Sequence, residues 1–447
     1  MTNNPQIYHG EWWVPAVLDH DMRSICLEPE KMMGHETKYK GTLTYHEQEG
    51  AKLELYHYPS SFFARHYSPN EVMWGKDANG NIFTLFNVAM KKEPIGDFTK
   101  IEFVVANILI GEHVISANDT CFKSCDVKFP YLRNWAFHDN IVQSNAGKSM
   151  SFKAPIYAEK LLETTNDEGA CWRLWQGQTI ERSVHDLTIT QSTILEIEAI
   201  KELSLISYMR QIEEFTQFLS IALYGDQNPT EIKFTNRKTK RESILLFKKD
   251  ASVNPELFSL IKFGLLKEKL PSMMNVWHEN FEKIAPISSY LIDSLQKKNR
   301  FEVPDFLIIA QALDGYHKRF VNHKNQRVSL KEEVKDHQKK GRDKSTQYEK
   351  DINILISQFN DVNCIQKCHI DPQVLAQSRD KYSHLLTDED KPLAVEGEDL
   401  YWLTEKCKIL LTCCILNMLG LTNKEINLCC ENSPISQIID SFPPEWD

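Results

Sequence analysis

Residues Asp371-Pro-Gln-Val-Leu-Ala-Gln-Ser-Arg379-Asp-Lys-Tyr-Ser-His384-Leu-Leu386 decide how the second half of the chain folds. Asp371 offers a carboxylate to the unpaired N–H groups of a first helical turn. Pro372 has its φ already set for the first helical position, so a helix begins here. Leu375, Ser378, Tyr382 and Leu386 recur at spacings of three and four and predict its buried stripe. Arg379 lies at the edge of that stripe, and His384 follows five residues later. At ~100° per residue the two side chains leave a regular helix roughly 140° apart. One unbroken helix therefore cannot aim both at a single atom. Either the helix breaks between them, or a groove between two subunits collects them from both sides.

Outward from this segment the signal stays helical from Pro255 nearly to the end. The apolar run Ile409–Leu421 reads as a final, buried core helix. Like Ile101–Ile110, it falls short of the ~20 residues needed to cross a bilayer. Two charged stretches interrupt this half. Lys318–Lys350 holds eleven Lys/Arg against five Asp/Glu. It is either a solvated helix or loop, or an electrostatic landing site for RNA phosphates. Thr387–Glu405 is acidic, contains Pro392 and Gly397, and is expected to form a loop before the last helix.

Toward the N-terminus, Leu203–Tyr224 carries Ile206, Met209, Ile212, Phe215 and Leu219 at helical spacing, and Gly225 closes it. Glu231–Phe247 is expected to be extended. The first ~170 residues read as sheet, by alternation and turn chemistry. Gly41–Tyr45 leads through the polar turn His46–Gly50 into the alternating Lys52–Tyr56, and Asp77–Asn81 is a second turn before Ile82–Phe86. Ile101–Ala106, Asn107–Gly111, Asp126–Phe129 and Thr188–Ile200 are further strand-like runs. The expected fold is α+β and multidomain. A β-rich domain, sandwich or barrel, spans 1–200, a helical linking region 201–295, and an all-α bundle 296–447. No internal repeat stands out.

The 447 residues are 42% hydrophobic and 26% charged, which suffices for several buried cores, and the net charge is −10. That balance argues against a chain coated for general nucleic-acid binding, yet leaves room for a local basic face. The opening MTNNPQIYHGEWW lacks a basic stretch followed by an apolar run, so a cytoplasmic protein without membrane contact is expected. Eleven cysteines, many in apolar helical sequence, fit reduced thiols. Cys364-x3-Cys368-His369, with Cys429-Cys430 farther on, offers zinc ligands at a spacing that matches no finger. Packing of free thiols is the preferred reading there, as it is for Cys121-x3-Cys125. Trp12, Trp13 and Trp135 could line a ligand pocket, with core packing the default. No cofactor and no bound metal are expected.

The Arg379-x4-His384 run, with Asp380 directly after the arginine, resembles the catalytic signature of HEPN ribonucleases. The upstream segment Asp305–Arg319 resembles the first long helix of the ApeA-like HEPN group. In the first half, Gly10–Pro15, Gly41–Tyr45, Leu53–Leu55, Gly111–His113 and Tyr131–Trp135 resemble the ApeA N-terminal domain, in the same order. The resemblance implies an antiphage, abortive-infection-type endoribonuclease that works as a homodimer without metal. The substrate is then RNA, with transfer RNA among the candidates, and a large noncatalytic region joined to a potentially toxic activity leads to the expectation that the β-rich half recognises a phage protein and controls the nuclease. RNA brings its own nucleophile, the 2′-hydroxyl. Histidine is the side chain suited to moving protons at neutral pH, which is the role implied for His384, while Arg379 clamps the phosphate. Asp380 orients the arginine or the histidine, or stands as an exposed helix carboxylate. The alternative is a non-catalytic binding protein whose helical domain only dimerises. A carbohydrate-active β domain is a third option, for which no carboxylate pair can be placed.

Overall fold

The computed structural model describes residues 4–15, 38–56, 72–91, 100–137, 141–146, 149–153, 155, 157–183, 187–250, 252, 259–296, 302–321 and 346–443. The chain divides into two compact units, Met1–Glu213 with Asn228–Ala251, and Glu214–Gln227 with Ser252–Asp447.

The first unit is built on β1 (Gln6–Trp13), β2 (Tyr39–His46), β3 (Gly50–Tyr56), β4 (Met73–Asp77), β5 (Ile82–Met90) and β6 (Lys100–Ile110). Both predicted turns form. The Asp77 carboxylate accepts the Asn79 and Asn81 backbone N–H groups at 2.9 and 2.8 Å, which fixes the bend into β5. β1 pairs with β2 and β4, β4 with β5, β5 with β6, β6 with β3, and β3 with β2. These six antiparallel strands close into a barrel, which settles the choice between barrel and sandwich. Alternate residues point inward: Leu53 and Leu55 of β3, Phe103 and Val105 of β6, and Phe83 and Leu85 of β5 all join one core with Trp12. Trp12 can lie flat across β4 because position 75 is glycine; a Cβ there would sit 2.2 Å from the indole.

β6 is long enough to serve two partners on one edge. Its residues 100–105 pair with β3, and Asn107–Ile110 pair with β14 (Glu242–Phe247). From there the sheet runs on through β13 (Glu231–Asn236), β7 (Phe122–Lys128), β12 (Leu187–Ala199) and β11 (Ala170–Arg182) to β10 (Glu159–Thr165). A separate hairpin joins β8 (Val142–Ala146) and β9 (Ser149–Lys153). The short helix α1 (Leu132–Trp135) follows β7. Helix α2 (Leu205–Leu223) falls where the helical spacing predicts, and the boundary between the two units passes through it. Residues 201–295, expected as a linking region, are shared between the units, with β13 and β14 in the first.

The second unit contains α3 (Phe263–Leu266), α4 (Leu270–Gln296), α5 (Val303–Tyr316, continued as a π-helical turn, His317–Val321), α6 (Gln347–Ser357), α7 (Asn363–Cys368), α8 (Pro372–His384), α9 (Gly397–Met418), α10 (Asn423–Cys430) and α11 (Pro434–Asp440). Helix α9 is buried all round from Leu403 to Leu416; the stretch from Ile409 on is nearly all apolar, and the buried Lys408 before it donates to Glu405 at 2.6 Å. It packs on α5, and α5 packs in turn on α4, α6 and α8. Two expectations need correction here. The acidic stretch is loop only to Glu396, because Glu398 and Asp399 form the first turn of α9, where carboxylates meet the unpaired N–H groups favourably. The apolar run is also not the last helix, since α10 and α11 follow it, each opened by a capping box at Thr422 and Ser433. No helix among the described residues is long and apolar enough to cross a membrane.

Candidate active site

Helix α8 starts as its sequence dictates. The Asp371 carboxylate accepts the Gln373 and Val374 N–H groups at 2.7 and 3.3 Å. The helix then runs unbroken to His384 and ends on Leu385, which holds a left-handed φ of 53° although it is not glycine. The break that would have let Arg379 and His384 converge within one chain is absent. Leu385 is 90% exposed and His384 is exposed beside it.

Arg379 is held from two sides. Its guanidinium lies 5.2 Å from the centroid of the Tyr348 ring on α6, and Nη1 is 3.1 Å from Asp380 Oδ1. Tyr348 is fixed in turn by a hydrogen bond from its hydroxyl to the Ala310 carbonyl at 3.0 Å. The second oxygen of Asp380 takes a 2.9 Å bond from Lys391 Nζ. Partial burial pushes the Asp380 carboxyl up, but the bonds from Lys391 and Arg379 outweigh it and hold the group below the usual carboxylate range. Asp380 is therefore an anion that faces the arginine; the structure pairs it with Arg379 and Lys391.

The segment between α8 and α9 folds back along α8. Val395 N–H donates to Ser378 Oγ at 3.0 Å, Leu393 N–H to Gln377 Oε1 at 3.0 Å, and the Tyr382 hydroxyl to the Val395 carbonyl at 2.9 Å. Lys381 Nζ donates to both Asp388 and Glu396, and these two carboxylates raise its pKa above the ordinary lysine value. The buried stripe thus differs from the one expected. Leu375, Ala376, Ser378 and Lys381 are buried, whereas Tyr382 and Leu386 are only half-buried. A lysine occupies the stripe because the returning acidic segment supplies its counter-charges.

Sequence reasoning missed Tyr348 and Lys391, the two residues that brace the Arg379–Asp380 pair. Lys391, a single cation in the run Asp388-Glu-Asp-Lys, was the one available signal. Of the basic stretch, 322–345 lies outside the described residues. At its near end Lys318 pairs with Asp314 at 2.7 Å, and Arg319 donates to the Lys283 carbonyl. His317, in the π-helical turn, is buried 3.4 Å from the Asp351 carboxylate.

The cysteine pattern also resolves differently. Cys364 does not share a site with His369, which is exposed at the left-handed end of α7. Its sulfur instead meets Cys413 and Cys430, and these form the one grouping of three close metal-ligand types among the described residues. Cys125 is buried in β7, and Trp12, Trp13 and Trp135 are buried as well. Trp13 and Trp74 both pack on His113, the latter stacked at 4.7 Å.

The family model described as ApeA N-terminal domain 1 matches residues 7–277, and the model described as Apea-like HEPN matches residues 307–425. No curated protein and no solved structure matches the chain.

Proposed function

The chain belongs to the family of ApeA N-terminal domain 1 proteins and carries an Apea-like HEPN domain behind it, and from that premise we propose that it is an endoribonuclease of antiphage defence whose catalytic groups are Arg379 and His384. RNA is cleaved by attack of the 2′-hydroxyl on the adjacent phosphate. The products are a 2′,3′-cyclic phosphate and a 5′-hydroxyl, and no metal takes part in the reaction. His384 moves the proton at the 2′-oxygen or at the leaving 5′-oxygen. Arg379 stabilises the charge that grows on the phosphate, and Asp380 positions Arg379.

The observation that carries this reading is the unbroken helix. Arg379 and His384 leave α8 on faces roughly 140° apart, so the complete site is composite, with Arg379 of one copy facing His384 of another across a two-fold axis. The exposed Leu385 beside His384 supports such an arrangement. In this reading residues 1–200 recognise a phage protein and hold the nuclease in check, and residues 296–447 cleave. The protein acts in the cytoplasm on RNA, with transfer RNA the first class to examine.

The test mixes two full-length variants, Arg379→Ala and His384→Ala. Each alone should be inactive. Random re-pairing should restore about a quarter of wild-type cleavage, because half of the dimers are mixed and each mixed dimer has one intact site of two. Activity should persist in EDTA and be absent on DNA. An active monomer in sedimentation, or no recovery on mixing, overturns the composite site. For the trigger, full-length protein drawn from infected cells should carry a phage protein with it. A helical half that answers infection alone as the whole chain does would refute that assignment.

A further inference from the structure

Three helices far apart in sequence bring three thiols together in the second unit. Cys364 stands at the start of α7, Cys413 is in the middle of α9, and Cys430 ends α10. Cys364 Sγ lies 3.7 Å from Cys413 Sγ and 3.5 Å from Cys430 Sγ, and all three sulfurs lie within 4.8 Å of one another. All three residues are buried, at 4%, 0% and 5% exposure. We propose that these three cysteines form a binding site for a soft, thiophilic d10 cation, zinc or copper(I), that staples α7, α9 and α10 together.

The spacing is that of a coordination shell. A Zn–S bond of about 2.3 Å sets tetrahedral thiolates about 3.8 Å apart, close to the two short separations here. Thiolate donors select zinc, copper(I) and similar ions over hard cations such as magnesium. Ordinary packing of small apolar side chains accounts for Cys368, Cys407 and Cys414, which are equally buried but do not join the cluster. It does not account for three sulfurs converging from three helices. Hydrogen bonding with Cys413 and then with Cys430 moves Cys364 toward its thiolate. The hydrogen bond to Cys364 first, and burial with it, push the Cys413 and Cys430 thiols up. On binding, each sulfur that still carries a proton gives it to solvent as the metal–sulfur bond forms.

The site departs from the expectation of a chain without metal. It does not touch the proposed chemistry and stands whether or not the chain cleaves RNA. Only His369, Ile370 and Asp371 separate α7 from α8, so anchoring α7 to α9 and α10 also anchors the start of the helix that bears Arg379.

The test uses the full-length chain purified under reducing conditions. Elemental analysis should find about one zinc or copper per chain, and which of the two is present identifies the ion. Cobalt(II) added to metal-free protein should give a sulfur-to-cobalt charge-transfer band that Cys364→Ser and Cys430→Ser abolish. Because either variant can destabilise the core, a second measurement uses the wild type alone. One equivalent of zinc should slow alkylation of Cys364, Cys413 and Cys430 and raise the melting temperature. Three results would each overturn the site: no bound metal together with no charge-transfer band, a band unchanged in Cys364→Ser, or alkylation unaffected by zinc.

Discussion

In the proposed reaction the Arg379 guanidinium has to be kept in place to meet a phosphate, and two neighbours restrain it. The Tyr348 ring restrains it through its π-face, and the Asp380 carboxylate through charge. Asp380 is itself divided between Arg379 and Lys391, so it cannot follow the arginine freely. Asp380→Asn keeps the size of the group and removes the charge. It should lower kcat by about tenfold, in line with the cost of a misplaced catalytic group, while KM changes little. Lys391→Met should have the same direction and a smaller effect. Steady-state kinetics on one RNA substrate checks both, and an unchanged kcat in Asp380→Asn would remove Asp380 from the site. The neighbouring lysine, Lys381, has the opposite fate: its two carboxylate partners in the returning segment keep it occupied.

Within the sheet, one carboxylate works against folding at neutral pH. Asp126 of β7 sits in register with Glu196 of β12 on one side and Lys233 of β13 on the other. Burial first, and then repulsion from Glu196 and Glu242, lift its pKa from 3.8 to about 6. Between those values the native chain holds a proton that the unfolded chain has released, so stability falls as pH rises through this window. The penalty is complete above pH 6. Asp126→Asn should therefore stabilise the protein by on the order of 1–2 kcal/mol above that pH, allowing for partial exposure. The gain should fade below about pH 4, as thermal melts across the range would show. Individual elements were legible where local chemistry decides them: the Asp371-Pro372 start of α8, the spacing in α2, and the Asp77–Asn81 turn. Features set by distant partners were not. Alternation in β3 looks the same in a sandwich as in a barrel, and only the β1–β4 and β5–β6 pairings close the ring. Cys364 stands nearest to Cys368 and His369 in sequence, but its partners lie 49 and 66 residues away. Lys381 finds its counter-charges only because the acidic segment folds back over it.

At the level of the whole molecule, the net charge of −10 and the basic run Lys318–Lys350 pull against each other for the proposed action on RNA. If that run gathers phosphates, Lys339→Ala with Lys340→Ala should raise KM and leave kcat in place. The slope of log affinity against log salt should fall by roughly 0.7 for each phosphate of single-stranded RNA that is no longer neutralised. A salt titration of binding by the full-length double variant decides this, and an unchanged slope would return the run to plain solvation. The path of the chain carries a separate consequence, for biosynthesis. The barrel strands are all encoded by residue 110, and β7 with β10, β11 and β12 by residue 199. The hairpin β13–β14, which stands between β7 and β6 in the sheet, is translated only after α2. A nascent chain can therefore form the barrel early, while one edge of β7 and one edge of the far half of β6 stay open until residue 247 leaves the ribosome. Open strand edges invite pairing with other chains, so this interval is when the growing protein is most exposed to aggregation, and a chain ended near residue 200 would never leave it.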